Sequence, residues 1–367
     1  MNLKILENTT VGKIPPIMTL NDGTPVTDRV TWEKRREEMM ELAVGLQFGG
    51  MPPEPEFLEV EPLDPKGWGE IRGFKVTTGK RDNPVEMEIY AALPEKPGKY
   101  PVIVDGDPGG TYLEGREELA ALINSRGVIY VGFNKKNLAP DNESDRTEGL
   151  YAVYPGLKFS CLSAWAWGYH RTADALIKLG LADGNRFAYT GHSRGGKTAL
   201  LAGVTDPRVT IVNPAGSGCG GAGLYHVHMN AVTSDGYERR NEQLDDIVGR
   251  FGYWFNEDLK AYVGRDAELP FDQHWMAALV APRFLLMNEG VDDLWASPVG
   301  TYRMVQEAKP AFDFLGVPNN IRAKWRPGGH SHNTTDWIAL LDVIDHVFYG
   351  KELPADIDDA PEELKAL

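Results

Sequence analysis

Apolar residues along this chain gather in short bursts separated by polar, glycine-rich turns. The stretches 100–104 (YPVIV) and 127–133 (GVIYVGF) are near-continuous apolar runs and read as buried strands. Residues 186–190 (RFAYT), 209–213 (VTIVN), 284–287 and 321–325 read as further strands, as do 57–61 and 71–78. Residues 85–93 (VEMEIYAAL) alternate between polar and apolar and predict an antiparallel strand. Helical spacing is expected over 31–47, where Trp32, Met39, Leu42 and Leu46 stand among charges, and over 117–124, 163–179 and 337–348. In the third of these, Trp167, Ala173 and Leu176 fall on the face expected to be buried.

The rest of the chain carries weaker patterns. Residues 1–28 are polar and turn-rich, and 134–157 are charged and loop-like. Residues 224–275 are aromatic-rich and irregular, which suggests an insertion over a site. The acidic tail from Lys351 is expected to be loosely held. Short strands alternating with helices predict an α/β fold: a mostly parallel central sheet with helices on both faces, a three-layer sandwich. Without repeats or a low-complexity linker, residues 1–367 read as a single domain, with an N-terminal extension to about residue 60 and a site-covering insertion at about 217–275.

Charge narrows the possible partners. Lys and Arg number 38 against 53 Asp and Glu, a net charge of −15. Nucleic acid is an unsuitable partner, because phosphate binding needs clustered Lys and Arg, and so is an anionic membrane surface. No apolar run approaches the ~18 residues that a membrane span requires. The two cysteines, Cys161 and Cys219, make neither a disulfide framework nor a CxxC metal pattern. The opening MNLKILENTTVGK lacks an apolar secretion-signal core, so the expectation is a cytoplasmic protein, or a secreted one whose signal has been removed.

Chemistry enters at Gly191-His192-Ser193-Arg194-Gly195, a G-x-S-x-G directly between a predicted strand and a predicted helix. That context builds a nucleophile elbow. The turn is tight, its flanks must be small, and the hydroxyl of Ser193 projects above the sheet. The bland reading is a glycine-rich turn with a capping serine. A serine nucleophile needs a base and an orienting carboxylate, in chain order serine, acid, histidine. Asp292 and Asp293 follow the strand at 284–287, and His330 and His332 follow the strand at 321–325. All four therefore lie at C-terminal strand ends, where ligands bind in such sheets. Taken singly, each is equally well a solvated loop residue.

Oxyanion donors are expected from the backbone N–H of Arg194 and from the region of Gly109-Gly110. The Arg194 guanidinium could reach the oxyanion or a substrate carboxylate, or simply pair with an acid. Lys197, one helical turn beyond Ser193, is placed to face the pocket. Trp165 and Trp167 read as core, and His226 and His228 lack a third ligand at a recognised metal spacing. Gly218-Cys219-Gly220-Gly221 lacks the phosphate-loop pattern and reads as close backbone approach near the site. The reading requires no cofactor and no metal.

The stretches GHSRGGKTALLAG, NPAGSGCGGAGL, LPFDQHWMAALVAPR, DDLWASPVG and GGHSHNTTDW resemble carbohydrate esterase family 15, the glucuronoyl esterases, in its bacterial branch. TPVTDRVTWEKRREEMMELA and AWAWGYHRTADAL are also similar, and the resemblance spans roughly residues 20–350. It implies an α/β-hydrolase fold and a serine esterase that cleaves an ester at the uronic-acid carboxyl of plant cell-wall polysaccharide. The substrate would be a small-molecule or oligosaccharide ester. The resemblance also implies that Arg194 supports the oxyanion and that Lys197 and Trp295 contact the sugar. Asp293 resembles the acid of the family's D-x-W placement, so Asp293 rather than Asp292 is the expected acid. His330 resembles the histidine of H-x-x-T-x-x-D-W, although Asn333 stands in place of Thr; His332 is the rival.

The chain departs from the fungal pattern at Gly216, where that branch carries a Glu, and at the flanking disulfide, whose positions would here hold His192 and Asn333 if His332 were the histidine. It departs from the bacterial pattern at LYHVH, where arginines are usual. The alternatives are a carbohydrate acetyl esterase, which needs only a small acyl pocket, and a non-catalytic carbohydrate-binding protein on the same fold.

Overall fold

In the computed structural model, which describes residues 2–63, 71–106, 113, 115–143 and 146–366, the apolar runs assemble into one nine-stranded sheet. The strands in chain order are β1 (Lys4–Thr10), β2 (Phe57–Pro62), β3 (Ile71–Gly79), β4 (Pro84–Ala92), β5 (Tyr100–Asp105), β6 (Ile129–Phe133), β7 (Ala182–His192), β8 (Val209–Ala215), β9 (Val227–Val232), β10 (Glu238–Arg240), β11 (Phe284–Gly290) and β12 (Ile321–Arg326). The large sheet runs β12-β11-β8-β7-β5-β6-β4-β3-β2. Neighbours from β12 to β6 are parallel, and β4, β3 and β2 add antiparallel pairs. The alternating 85–93 stretch is thus the antiparallel β4, as its pattern predicts.

The helices are α1 (Arg29–Met40), α2 (Glu117–Ser125), α3 (Leu150–Val153), α4 (Cys161–Lys178), α5 (Arg194–Thr205), α6 (Leu244–Phe251), α7 (Gln273–Val280), α8 (Pro298–Phe314), α9 (Thr334–Tyr349) and α10 (Glu362–Lys365). Successive residues of a strand face opposite sides, and the core divides accordingly. Val102, Val104, Phe187, Tyr189, Leu285 and Met287 pack with α4, α5, α7 and α8. Ile103, Ala188, Phe284 and Leu286 pack on the other face with α2 and α9. The predicted three layers are present, and Trp165 and Trp167 are core residues whose indole N–H groups donate to Ala139 O and Pro53 O.

The structure departs from the expectations drawn from the sequence at five places. The helix expected over 31–47 ends as α1 at Met40 and continues as a π-helical turn, Glu41–Leu46. The polar N-terminus supplies β1, which pairs antiparallel with β9, while β10 pairs with the far side of β9 in a small three-stranded sheet. The irregular 224–275 segment therefore contains two strands and α6, and α7 begins within it; α8 has no counterpart in the sequence reading. The acidic tail is held, not loose. Asp358 N donates to Ala323 O and Ala323 N donates to Asp358 Oδ1, both at 2.8 Å, while Lys324 pairs with Asp356 and Leu364 is fully buried.

Candidate active site

Ser193 stands between β7 and α5 with φ +58° and ψ −119°, a backbone conformation that a side chain rarely adopts. The turn tolerates only glycine at 191, where a Cβ would overlap the carbonyl of Gly195. The strain lifts the hydroxyl over the C-terminal edge of the sheet. His330 Nε2 lies 2.9 Å from Ser193 Oγ, and His330 Nδ1 lies 2.6 Å from Asp293 Oδ2. With Nδ1–H donating to the carboxylate, Nε2 is left to accept from the serine hydroxyl.

Each partner is fixed by its own loop. Asp293 N donates to Gly290 O at 3.0 Å, and its Oδ1 accepts from Ala296 N at 3.2 Å. The loops after β11 and β12 bond to each other through Val291 N to Arg326 O and Asp292 N to Gly328 O. Buried Arg326 organises the histidine loop: its Nε donates to both oxygens of Asp336 at 2.9 and 2.8 Å, and its Nη1 and Nη2 reach the carbonyls of Gly329 and Ser331. Asp336 also accepts from Asn333 N, the cap of α9.

The two rivals have other occupations. Asp292 accepts from Gly328 N and from the backbone and side chain of Asn2. Burial pushes its carboxyl up, but these hydrogen bonds outweigh burial and leave it below the usual range. His332 stacks on Trp337 at 4.4 Å and on His192 at 5.7 Å, and His192 in turn lies 4.5 Å from the His330 ring. The buried Nε2 of His332 has no hydrogen-bond partner among the described residues. Burial first, then the nearby His192, Arg116 and Arg326, hold its pKa down to about 3. With His330 bonded to Ser193, the residue following the histidine is Ser331, not Asn333, so the pairing of His192 with Asn333 does not arise. A Cβ on Gly216 would lie 3.9 Å from Asp293 Oδ2, so a Glu at 216 would compete for the space that Asp293 fills.

Ser193 and His330 open into a cavity of about 700 Å³. On one side Lys197 Nζ donates to Ser217 O at 2.6 Å and lies 3.8 Å from Glu242 Oε2, both side chains being buried. Burial pushes the Glu242 carboxyl up, and Lys197 opposes this. Trp295 lies beside them, with the Arg250 guanidinium 5.0 Å above its ring. Phe251 and Trp254 stack at 4.0 Å and complete that wall. Arg116 lines the cavity together with His332.

Arg194 lines the cavity, and its Nη1 also bonds Asp141 Oδ2 at 2.6 Å, so the pairing with an acid foreseen as its bland reading is present. Its backbone N–H opens α5, where a helix has no internal acceptor to offer. Gly109 and Gly110, the second expected source of oxyanion donors, lie outside the described residues. His226 and His228 bond separate carboxylates, Asp272 at 2.7 Å and Asp266 at 3.0 Å. Glu242, Arg250, Asp141 and Arg116 carry no motif in the sequence. The one available signal was the irregular aromatic segment from which Glu242 and Arg250 come.

Comparison with known proteins adds a family to this geometry. A family model described as "Glucuronyl esterase, fungi" matches residues 75–316. The chain is 32% identical over 349 residues to the 4-O-methyl-glucuronoyl methylesterase of Schizophyllum commune, covering 93% of this chain and 82% of that protein. It superposes on a carbohydrate esterase family 15 glucuronoyl esterase from Caldicellulosiruptor kristjansonii with a TM-score of 0.81 and 28% identity, over 93% of this chain and 92% of that one. A glucuronoyl esterase variant from Sporotrichum thermophile, solved with methyl 4-O-methyl-β-D-glucopyranuronate, shares the fold at 23% identity and a TM-score of 0.74, over 98% of this chain and 95% of that one. The matches include fungal enzymes and structures from bacteria. The chain belongs to carbohydrate esterase family 15, the glucuronoyl esterases, and is a serine-type carboxylic ester hydrolase of the α/β-hydrolase fold.

Proposed function

We propose that this enzyme hydrolyses esters formed at the carboxyl carbon of a glucuronic-acid residue, in a small molecule or an oligosaccharide, with Ser193, His330 and Asp293 as its catalytic residues. The observation that carries the reading is the continuous hydrogen-bond chain from Asp293 through His330 to Ser193, opening into a large cavity lined by both charged and aromatic side chains.

In this reading Ser193 Oγ attacks the ester carbonyl while His330 Nε2 takes its proton. Asp293 holds the imidazole with its proton on Nδ1 and stabilises the imidazolium. Charge developing on the carbonyl oxygen is met by the Arg194 backbone N–H and by its guanidinium. His330 returns the proton to the departing alcohol, which leaves an acyl-enzyme on Ser193. A water activated by His330 then releases the uronic acid.

The sugar carries the acyl group, so groups that recognise hydroxyls belong beside Ser193. Lys197 donates and Glu242 accepts, and the face of Trp295 suits the C–H face of a pyranose ring. A cavity of about 700 Å³ is far more room than an acetyl group needs. Ligand-bound Sporotrichum thermophile enzyme supports the same substrate class.

The test compares kcat/KM on methyl glucuronate and on an acetylated sugar. A preference for the glucuronate ester is expected. A preference for the acetylated sugar would make the enzyme a deacetylase, and sugar binding without turnover of either ester would make it a binding protein.

A further inference from the structure

Asp141 is bonded from three directions. Oδ2 accepts from Arg194 Nη1 at 2.6 Å, and Oδ1 accepts from Tyr253 OH at 3.0 Å and from Trp254 Nε1 at 2.9 Å. None of these donors is near it in sequence. Arg194 follows the nucleophile, and Tyr253 and Trp254 follow α6 on the segment that walls the cavity. The loop carrying Asp141 is itself pinned to α4. Ala139 O accepts from the Trp165 indole at 2.9 Å, and Pro140 O accepts from Cys161 Sγ at 3.3 Å. Asp141 is mostly covered, while Arg194 is 38% exposed on the cavity side. Burial and then the Asp141 charge push the Tyr253 phenol up, which keeps it a proton donor.

We propose that Asp141 is a positioning residue of the reaction: it holds the Arg194 guanidinium beside Ser193 and ties it, through Tyr253 and Trp254, to the segment that walls the cavity. The inference rests on the reading of Arg194 as support for the oxyanion. The physical argument is one of reach. An arginine on the first residue of a helix swings about four bonds, and outside a narrow range of positions its donors miss the oxygen on which charge develops. A carboxylate binding one end of the fork fixes the plane of the other donors. The same carboxylate draws charge from the guanidinium, so its benefit must come through geometry. A substrate filling the cavity presses on Trp254 and, through Asp141, on Arg194; occupancy of the sugar site and placement of the oxyanion donor are therefore joined in one carboxylate.

A double-mutant cycle tests this on methyl glucuronate. Asp141→Ala should lower kcat by about 10- to 100-fold, with a smaller rise in KM from the loosened Trp254 wall. In an Arg194→Ala background the same change should alter kcat by less than twofold, because the residue through which Asp141 acts is gone. Tyr253→Phe, which leaves the Trp254 bond in place, should cost less than Asp141→Ala. If Asp141→Ala does not fold, Asp141→Asn keeps the shape, removes the charge that binds Arg194, and carries the same cycle. An unchanged kcat in the Asp141 variant, or an equal loss with and without Arg194, overturns the proposal. An Arg194→Ala enzyme with wild-type kcat overturns the oxyanion reading itself and this inference with it, whereas a slow Arg194→Ala enzyme beside a normal Asp141→Ala enzyme removes this inference alone.

Discussion

Ser193, Asp293 and His330 sit on turns leaving the parallel strands β7, β11 and β12, whereas Glu242, Arg250, Phe251 and Trp254 across the cavity come from a segment with no place in the large sheet. The first group is held by backbone bonds between neighbouring loops, such as Asp292 N to Gly328 O at 3.0 Å and Gly216 N to Asn288 O at 2.8 Å. The second is held by side chains, by the 4.0 Å stack of Phe251 on Trp254 and by the bonds of Tyr253 and Trp254 to Asp141. Backbone bonds along strand ends leave little freedom, which suits atoms that must meet within hydrogen-bond distance. Stacked side chains can shift by a fraction of an ångström, which suits a surface that accommodates a sugar. Damage to the first group should therefore appear in kcat and damage to the second in KM.

The largest effect sharpens this division. Ser193→Ala should lower kcat by about 10⁶-fold, as the loss of a serine nucleophile does elsewhere, without changing the fold. Wild-type turnover in the purified variant would remove the serine from the chemistry. Next, Asp293→Asn should cost about 10⁴ in kcat, since the imidazole loses the partner that fixes its tautomer. Its neighbour provides the control: Asp292→Asn should leave kcat within twofold and cost about 1 kcal/mol of stability, the worth of a typical hydrogen bond. The reverse pattern in two folded variants would assign the acid to Asp292.

Arg194→Ala should lower kcat by about 10²- to 10³-fold with little change in KM. A change in KM alone would move Arg194 from the first group to the second.

The next effect is on stability against acid. His332 has a native pKa of about 3, below its unfolded value of about 6.5, so the unfolded chain takes the proton first. The stabilisation is complete above the unfolded value and falls by about 1.4 kcal/mol for each pH unit below it, until the native pKa is reached. Denaturant unfolding at pH 7, 5 and 4 should show a steeper acid loss in the wild type than in His332→Phe. Parallel curves would show that the ring takes up its proton equally in both states. The smallest effect belongs to the cavity wall: Arg250→Ala should raise KM by about 3- to 10-fold, the equivalent of one lost hydrogen bond, with kcat nearly unchanged. A large fall in kcat there would break the division.

The same contrast governs what could be read from the residues. The elbow was legible because a strand, a tight glycine turn and a helix must be contiguous, so Gly191 to Gly195 carries its structure locally. The choice of Asp293 over Asp292 needed the D-x-W resemblance, since adjacent residues leaving a strand differ only in direction. Glu242 was invisible because its meaning lies in Lys197, and Asp141 because its meaning lies in Arg194 and Trp254; one acid among 53 Asp and Glu has no pattern of its own. The helix α8 was missed because Gly300 and Pro310 weaken its helical pattern while tertiary packing restores it.

The C-terminal segment has a consequence for how these molecules meet one another. The strand β12 ends the large sheet, and an end strand offers free backbone donors and acceptors on which another chain could add itself. Here the tail occupies that position. The backbone and carboxylate of Asp358 bond both polar groups of Ala323, and Arg322 and Lys324 are drawn to Asp358 and Asp356. Leu364, buried beyond them, fastens the segment in place. The tail is a stopper on an otherwise sticky border, and its cost in ordered chain is set against the risk of concentrated enzyme linking sheet to sheet.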